Sequence, residues 1–389
     1  MEERKDLVVL VSQSESLWSE GKEGVHGTEG DENPSEFRSL IGIHQSVLSG
    51  KGMQGPGGLD MDNNADASME DNKAAPAIPL YIAAACSVLF TLLYVIPFYC
   101  SAITRPSPTL SRDAPSVIRA RIRAVTISCT FGSVAVLLLI MHEKRSITEA
   151  LALLGWWPVG FVEIFKSLLL TALLFIGPLF ERGIAMGDWR DWVKGQSMKE
   201  TLSGWIGWRN FVAGPITEEV TFRSIIISLH LLSPASPTRI IFITPLYFGI
   251  AHVHHYYEFR LTHPDTPMTP AILRSLFQFT YTTIFGWFAA FVYLRTGSLL
   301  AVIAIHAFCN WMGLPRFWGR VETDEPLMSP VVRGKEDGEP QEFMWTADGA
   351  GRLGVAWSVA YYMLLVAGAV LFYWQLWPLT RSGSQLAVL

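Results

Sequence analysis

Long runs of apolar residues, separated by short polar segments, fill most of the chain after residue 77. A membrane helix needs about 20 apolar residues to cross roughly 30 Å of hydrocarbon. Five windows of this size are uninterrupted, and three more contain polar residues. The pattern predicts an all-α, polytopic membrane protein with about eight transmembrane helices. The uninterrupted windows are 79–100, 124–141, 159–181, 271–294 and 353–378, and the interrupted ones are 211–232, 238–257 and 298–314.

The composition also indicates a membrane protein. Of the 389 residues, 50% are hydrophobic and only 17% are charged, and the mean hydropathy is +0.29. The Lys and Arg residues are spread over loops, which suits membrane orientation and excludes nucleic acid as a partner. The cysteines lie in or beside apolar stretches, so they predict neither a disulfide framework nor a zinc site. They are Cys86, Cys100, Cys129 and Cys309.

Residues 1–77 have a different composition from the rest of the chain. They are rich in Gly, Ser, Asn and acidic residues and poor in aromatic residues, so they cannot bury enough apolar surface to offset the entropy of ordering. We predict a disordered acidic extension without a cleaved signal peptide, because no apolar run follows a basic start. Residues 78–381 form the predicted helical membrane domain, with a cytosolic loop insertion at 315–351 and a tail at 382–389.

The basic residues of the short loops predict the orientation in the membrane. The loop 101–123 holds five arginines, so we place it in the cytosol and the acidic extension across the membrane. By alternation, 182–210 is also cytosolic, and its basic residues and tryptophans are typical of a helix in the membrane interface. The arginines are Arg105, Arg112, Arg119, Arg121 and Arg123.

The three interrupted windows bring polar side chains to one depth. An ionisable group inside a bilayer costs about 2.5–3.5 kcal/mol on insertion scales and is by default a functional candidate. With the predicted orientation, Glu218, His252 and Asn310 each lie within roughly 10 Å of the cytosolic face, and His306 falls in the same half of the bilayer. We predict that these four residues line one cavity that opens to the cytosol.

Helical spacing predicts which polar residues pair. Glu219 and Arg223 are four residues apart, so an ion pair can neutralise both and leave Glu218 without a partner on its own helix. Glu163 and Lys166, three residues apart in the third window, predict a structural ion pair in the opposite half of the bilayer. The other pairs on one helix face are His306 with Asn310 and Phe248 with His252.

These residue types predict a hydrolytic reaction. A glutamate beside a histidine can take a proton from water and return it to a leaving group. A histidine and an asparagine can donate hydrogen bonds to an oxygen that becomes negative as a carbonyl turns tetrahedral. Together Glu218, His252, His306 and Asn310 predict hydrolysis of an amide or ester by activated water.

Three alternatives remain at this point. A zinc-dependent membrane protease could use the same Glu/His cluster, although the one His-Glu pair, at His142, does not continue as H-E-x-x-H and Asn310 is a poor zinc ligand. Cys309 could act as a nucleophile, although a thiol in apolar surroundings is inert. A non-catalytic scaffold or transporter could use the polar residues to hold its helices together.

Three ordered motifs resemble those of one family. They are Glu218-Glu219-Val-Thr-Phe-Arg223, Phe248-Gly-Ile-Ala-His252 and His306-Ala-Phe-Cys-Asn310, which read E-E-x-x-x-R, F-x-x-x-H and H-x-x-x-N. The sequence is similar here to the type II CAAX prenyl proteases, within the wider abortive-infection and CAAX protease group. The resemblance covers roughly residues 79–378.

The resemblance implies a multi-pass endoprotease of the endoplasmic reticulum membrane, with its active site open to the cytosol and with no cofactor. It would remove the aaX tripeptide from farnesylated or geranylgeranylated CaaX proteins, such as Ras-like small GTPases. Glu218 and His252 would activate water, and His306 and Asn310 would hold the oxyanion. The supporting residues would be Glu219, Arg223 and Phe248.

Overall fold

The computed structural model describes residues 77–107, 110–143, 145–321 and 353–389, and the regular structure within these ranges is helical. The predicted all-α class is therefore confirmed for this part of the chain. The predicted extension, except residue 77, and most of the 315–351 insertion lie outside the described residues. The helices are α1 Leu80–Val95, α2 Pro115–His142, α3 Ile147–Leu153, α4 Phe161–Leu174, α5 Ile176–Phe180, α6 Trp189–Val193, α7 Gln196–Leu202, α8 Trp205–Trp208, α9 Gly214–Glu219, α10 Ile226–Leu231, α11 Pro237–Ala251, α12 His254–Thr262, α13 Met268–Thr296, α14 Leu299–Met312 and α15 Val355–Leu379, with π-helical turns π1 Glu181–Ala185, π2 Arg209–Ala213 and π3 Val220–Ile225.

Several helices are long and apolar enough to cross a membrane. Within the described ranges three meet this condition alone, namely Leu80–Phe98, Pro115–His142 and Val355–Leu379. The pair Phe161–Leu174 and Ile176–Ala185 meets it together, but the two halves meet at an angle of 81°. The chain is therefore an all-α membrane protein, and the figure of about eight spans stays a prediction.

The first interrupted window, 211–232, forms the core of the bundle as one helical run in which α- and π-helical segments alternate. Every residue from 220 to 230 is buried, and α1, α2, α11, α13 and α14 pack around this segment. A helix buried on all sides packs against protein and not against lipid. The π-helical turns π2 and π3 stand directly before and after α9, which carries the two glutamates. Such turns are rare and occur often at functional sites.

Small residues bring α11 and α13 into close contact. A Cβ atom added at Gly286 of α13 would lie 2.6 Å from Cβ of Pro245 on α11, so no larger side chain fits without movement. Gly249 of α11 faces the Thr283 hydroxyl in the same way. Small residues let helix backbones approach closely. This contact fixes the end of α11, where His252 lies.

Glu258 connects α12 to α2. Its carboxylate lies 2.8 Å from Nη2 of Arg121 and 3.6 Å from Nη1 of Arg112, and it accepts a hydrogen bond from His255. Burial alone would raise the pKa of Glu258, but the His255 hydrogen bond and the two guanidinium groups outweigh burial and hold the pKa well below its usual range. The contact anchors the segment that directly follows His252.

The residues after α15 fold back against α4 and α13. The Ser382 hydroxyl donates to Oε1 of Glu163 at 2.8 Å, and Nζ of Lys166 donates to the carbonyl oxygen of Arg381 at 3.4 Å. The predicted ion pair between Glu163 and Lys166 is therefore wrong. Helical spacing could not reveal that residues more than 200 positions away supply both partners.

Candidate active site

Glu219 is the fully buried carboxylate of the site. Its Oε1 accepts a hydrogen bond from Nη1 of Arg223 at 3.1 Å, so the predicted ion pair is formed. The same oxygen accepts from Nδ1 of His306 at 2.6 Å. Glu219 thus holds His306 of α14 as well as Arg223.

His306 lies between the two adjacent glutamates. Its Nε2 is 3.6 Å from Oε2 of Glu218, while its Nδ1 faces Glu219. The Glu218 side chain is 21% exposed and that of Glu219 is 0% exposed. One imidazole therefore connects a buried carboxylate to a carboxylate that water can reach.

His252 occupies the C-cap position of α11. Its Nδ1 lies 2.8 Å from the carbonyl oxygen of Phe248, and a carbonyl only accepts, so Nδ1 carries a proton. In the neutral ring Nε2 is then an acceptor. The ring of Phe248 lies beside both His252 and His306, which places His252 next to the same polar cluster.

Phe248 lies beside three members of this cluster. Its ring centroid lies 4.6 Å from that of His252 and 6.2 Å from that of His306. The guanidinium carbon of Arg223 lies 4.6 Å from the same ring, within the range of a cation–π interaction. Phe248, predicted as a supporting residue, is 1% exposed and supplies an apolar ring to the cluster.

Asn310 lies one turn after His306 on α14. Its Nδ2 donates to the carbonyl oxygen of Asn210 at 2.9 Å. The amide has two N–H groups, so the second is available to another acceptor. Asn210 belongs to π2, and no motif could identify it, because its contribution is a backbone carbonyl.

Tyr94 packs beside the segment that carries Glu218, and no sequence motif identifies it. Its hydroxyl lies 3.3 Å from Oγ1 of Thr217, the residue directly before Glu218. Thr217 donates its own proton to the carbonyl oxygen of Ala213 at 2.8 Å. Tyr94 is 8% exposed and lies within the uninterrupted window 79–100, where no motif distinguishes it from the other residues that face the core.

Two buried atoms of the cluster have no hydrogen-bond partner among the described residues. They are Oε2 of Glu219 and Nη2 of Arg223. Buried polar atoms in native proteins are normally satisfied by protein or by ordered water. We therefore expect a water molecule or a polar substrate group beside this ion pair.

A different group of residues has the spacing of metal ligands. Within the described ranges, ligand atoms of His254, His255 and Glu258 all lie within 4.8 Å of one another. However, the Glu258 carboxylate already contacts two arginines, whose positive charges oppose a metal cation. None of these three residues belongs to the Glu/His cluster that the zinc alternative would use.

The chain matches proteins of one family in the region of this cluster. Residues 200–312, which contain all three motifs, match the family model described as type II CAAX prenyl endopeptidase Rce1-like. A probable CAAX prenyl protease 2 from Schizosaccharomyces pombe is 38% identical over 235 residues, which are 60% of this chain and 82% of that protein. The chain belongs to the type II CAAX prenyl endopeptidases.

Other members of the family are also similar. The CAAX prenyl protease 2 of Homo sapiens is 33% identical over 256 residues, 63% of this chain and 76% of that protein. The CAAX prenyl protease 2 of Saccharomyces cerevisiae is 29% identical over 305 residues, 72% of this chain and 90% of that protein. No solved structure matches the chain. The predicted resemblance and the enzyme class, a CAAX prenyl endopeptidase, are both confirmed.

Proposed function

We propose that this CAAX prenyl endopeptidase removes the aaX tripeptide from farnesylated or geranylgeranylated CaaX proteins by a glutamate-dependent hydrolysis. The observation that carries the proposal is the His306 imidazole, which lies between Glu218 and Glu219 with Asn310 one turn away. This arrangement combines a carboxylate reachable by water with nearby hydrogen-bond donors.

Glu218 activates the water in this mechanism. Its carboxylate takes one proton from the water, and the oxygen attacks the carbonyl carbon of the prenylated cysteine. His252 directs its free Nε2 lone pair at the second hydrogen of the water and orients it. Tyr94 donates to the Thr217 hydroxyl and so holds the segment that carries Glu218 in position.

His306 and Asn310 stabilise the tetrahedral intermediate. A proton on Nε2 of His306 and the second N–H of Asn310 donate to the oxyanion. When the C–N bond breaks, protonated Glu218 returns its proton to the nitrogen of the leaving tripeptide. The products are a C-terminal prenylcysteine and a free tripeptide, and Glu218 is again ionised.

The proposed substrates are prenylated CaaX proteins, including Ras-like small GTPases, and the proposed location is the endoplasmic reticulum membrane. The arginines of 101–123, a predicted loop whose residues from 115 onward form the start of α2, support an active site that opens to the cytosol. The isoprenoid would remain in apolar surroundings at lipid depth, while the peptide crosses the polar cluster.

Glu218→Gln tests the mechanism, because it keeps the shape of the side chain and removes its basicity. We expect kcat for a farnesylated CaaX peptide to fall at least about a hundredfold. The measurement uses purified full-length protein in detergent. Cleavage at the wild-type rate would refute the role of Glu218.

The same assay separates the alternatives. Loss of activity on chelation, restored by zinc, would favour the zinc-dependent protease. Absence of cleavage by the wild-type protein would favour a non-catalytic scaffold or transporter. Under the proposed mechanism, activity is unchanged by chelators and depends on Glu218.

A further inference from the structure

A cavity of about 570 Å³ lies at the end of the bundle far from the catalytic cluster. It is formed where α13 and α15 end and where α4 begins. Helix α14 runs from this end, at Leu299, to Asn310 at the active site, a distance of roughly 16 Å. The cavity is lined by Lys166, Arg295, Pro378, Arg381, Ser382, Gly383 and Gln385.

Three cations from three different elements line this cavity. Lys166 belongs to α4, Arg295 to the last turn of α13, and Arg381 follows α15. None of them forms an ion pair with a carboxylate in the part of the chain that the structure describes. The nearby acid Glu163 accepts its hydrogen bond from Ser382 instead. The cavity therefore concentrates positive charge that the described protein residues do not neutralise.

Most of the donors of these cations remain available. Lys166 uses one of its three N–H donors on the carbonyl of Arg381. Arg295 donates two of its five N–H groups, one to the Thr380 hydroxyl at 3.4 Å and one to the Trp377 carbonyl at 3.2 Å. Guanidinium groups match phosphate oxygens in pairs, so the free donors suit a phosphate group.

The surface beside the cavity is apolar and aromatic. On α4, Phe161 and Phe165 are 78% and 68% exposed, and on α15, Trp374 and Trp377 are 65% and 49% exposed. Exposed tryptophans near the ends of membrane helices are typical of the headgroup level of a bilayer. An anion at this position would be next to acyl chains, which favours a lipid over a soluble anion.

We propose that this cavity binds the phosphate headgroup of an anionic phospholipid. Lys166, Arg295 and Arg381 hold the phosphate, and the acyl chains lie along the exposed faces of α4 and α15. The lipid also fixes the segment 380–389, whose Leu386 N–H donates to the carbonyl of Leu294 at 2.8 Å. The site is independent of the peptidase mechanism.

Thermal unfolding of the purified full-length protein tests this site with three probes. They are dihexanoyl-phosphatidic acid, dihexanoyl-phosphatidylcholine and inorganic phosphate at equal concentrations. We expect phosphatidic acid to raise Tm by at least about 3 °C at saturation, because a ligand that binds only the folded state stabilises it. The other two should raise Tm by less than about 1 °C.

Variants of the lining residues locate the effect. Most of the Tm shift should be lost in the double variant Lys166→Gln/Arg295→Gln and also in the single variant Arg381→Gln. Because Arg381 is exposed, its substitution should not prevent folding, so the single variant still decides the test if the double variant does not fold. Arg239→Gln is the matched control, since this exposed arginine lies at the same end of the bundle, in the first turn of α11. It should keep the full shift.

Three results would overturn the proposal. An equal shift with phosphatidylcholine would show that headgroup charge is not recognised. An equal shift with inorganic phosphate would assign the cavity to a soluble anion. An unchanged shift in Arg381→Gln and in the double variant would place the lipid elsewhere.

Discussion

Two adjacent glutamates meet different surroundings in this protein. Glu219 is fully buried and carries hydrogen bonds from Arg223 and His306, whereas Glu218 is 21% exposed and lies 3.6 Å from the other nitrogen of that imidazole. A buried carboxylate that accepts hydrogen bonds from two side chains holds those neighbours in position. A carboxylate that water can reach is the one able to exchange protons with water.

Glu219→Gln should therefore cost stability as well as activity. The change leaves Arg223 buried without a negative charge, and breaking a buried ion pair costs about 3–5 kcal/mol. We expect a clear fall in Tm together with a loss of peptide cleavage, measured by thermal unfolding and by the farnesylated-peptide assay. Glu218→Gln is the paired variant, and its Tm should stay close to that of the wild type. Equal Tm values for both variants would contradict a structural role that Glu219 has and Glu218 lacks.

Tyr94→Phe tests the hydrogen bond to Thr217, the residue directly before Glu218. Without this bond the segment that carries Glu218 is held less firmly, so kcat should fall roughly tenfold and KM should stay unchanged in the farnesylated-peptide assay. Tyr99→Phe is the control, since its hydroxyl reaches the carbonyl of His254 and not Thr217. A kcat that matches the wild type would show that Tyr94 only packs.

Spacing along one helix predicted one local pair correctly and one wrongly, and it could not predict distant contacts. The Glu219–Arg223 pair follows the four-residue rule, whereas Glu163 and Lys166 bond to residues after α15 and not to each other. The hydrogen bonds of Tyr94 with Thr217 and of Asn310 with Asn210 join residues 123 and 100 positions apart. These depend on how helices pack, which no short motif encodes.

At the scale of elements, the contact between α11 and α13 determines where His252 lies. Gly249→Val adds side-chain atoms that meet Thr283 and Phe279, both on α13. We expect a lower Tm and a lower kcat, because the end of α11 must move, and thermal unfolding with the peptide assay measures both. Gly204→Ala is the control, since a Cβ there meets no atom within 4 Å. A Gly249→Val protein with unchanged kcat would contradict the positioning role of this contact.

Hydropathy predicted the long helices better than the broken ones. The windows 79–100 and 353–378 correspond closely to α1 and α15. The window 211–232 is instead divided into α9, π3 and α10, and 159–181 is bent between α4 and α5. Hydropathy measures only average apolar content, so it detects neither a change of hydrogen-bond pattern nor a bend.

At the scale of the whole molecule, the distribution of arginines predicts the orientation. If the loop 101–123 is cytosolic, an N-glycosylation acceptor engineered into residues 1–77 should be modified in cells, because that segment lies across the membrane. An acceptor in the loop 101–123 is the control and should remain unmodified. Glycosylation is measured as a change in gel mobility on deglycosylation. Modification of the acceptor in 101–123 and not of the acceptor in 1–77 would show that the orientation is the reverse and that the active site does not open to the cytosol.

The two π-helical turns make the length of the chain around α9 critical. A π turn accommodates one residue more than an α turn, so the helix faces before and after it are offset by about 100°. Glu219 on one side of π3 and the buried isoleucines of α10 on the other can therefore both face the interior. Deleting a single residue between 220 and 225 would restore regular helix and rotate one of these faces by about 100°, away from its present packing partners. The number of residues in this segment is therefore as constrained as their types.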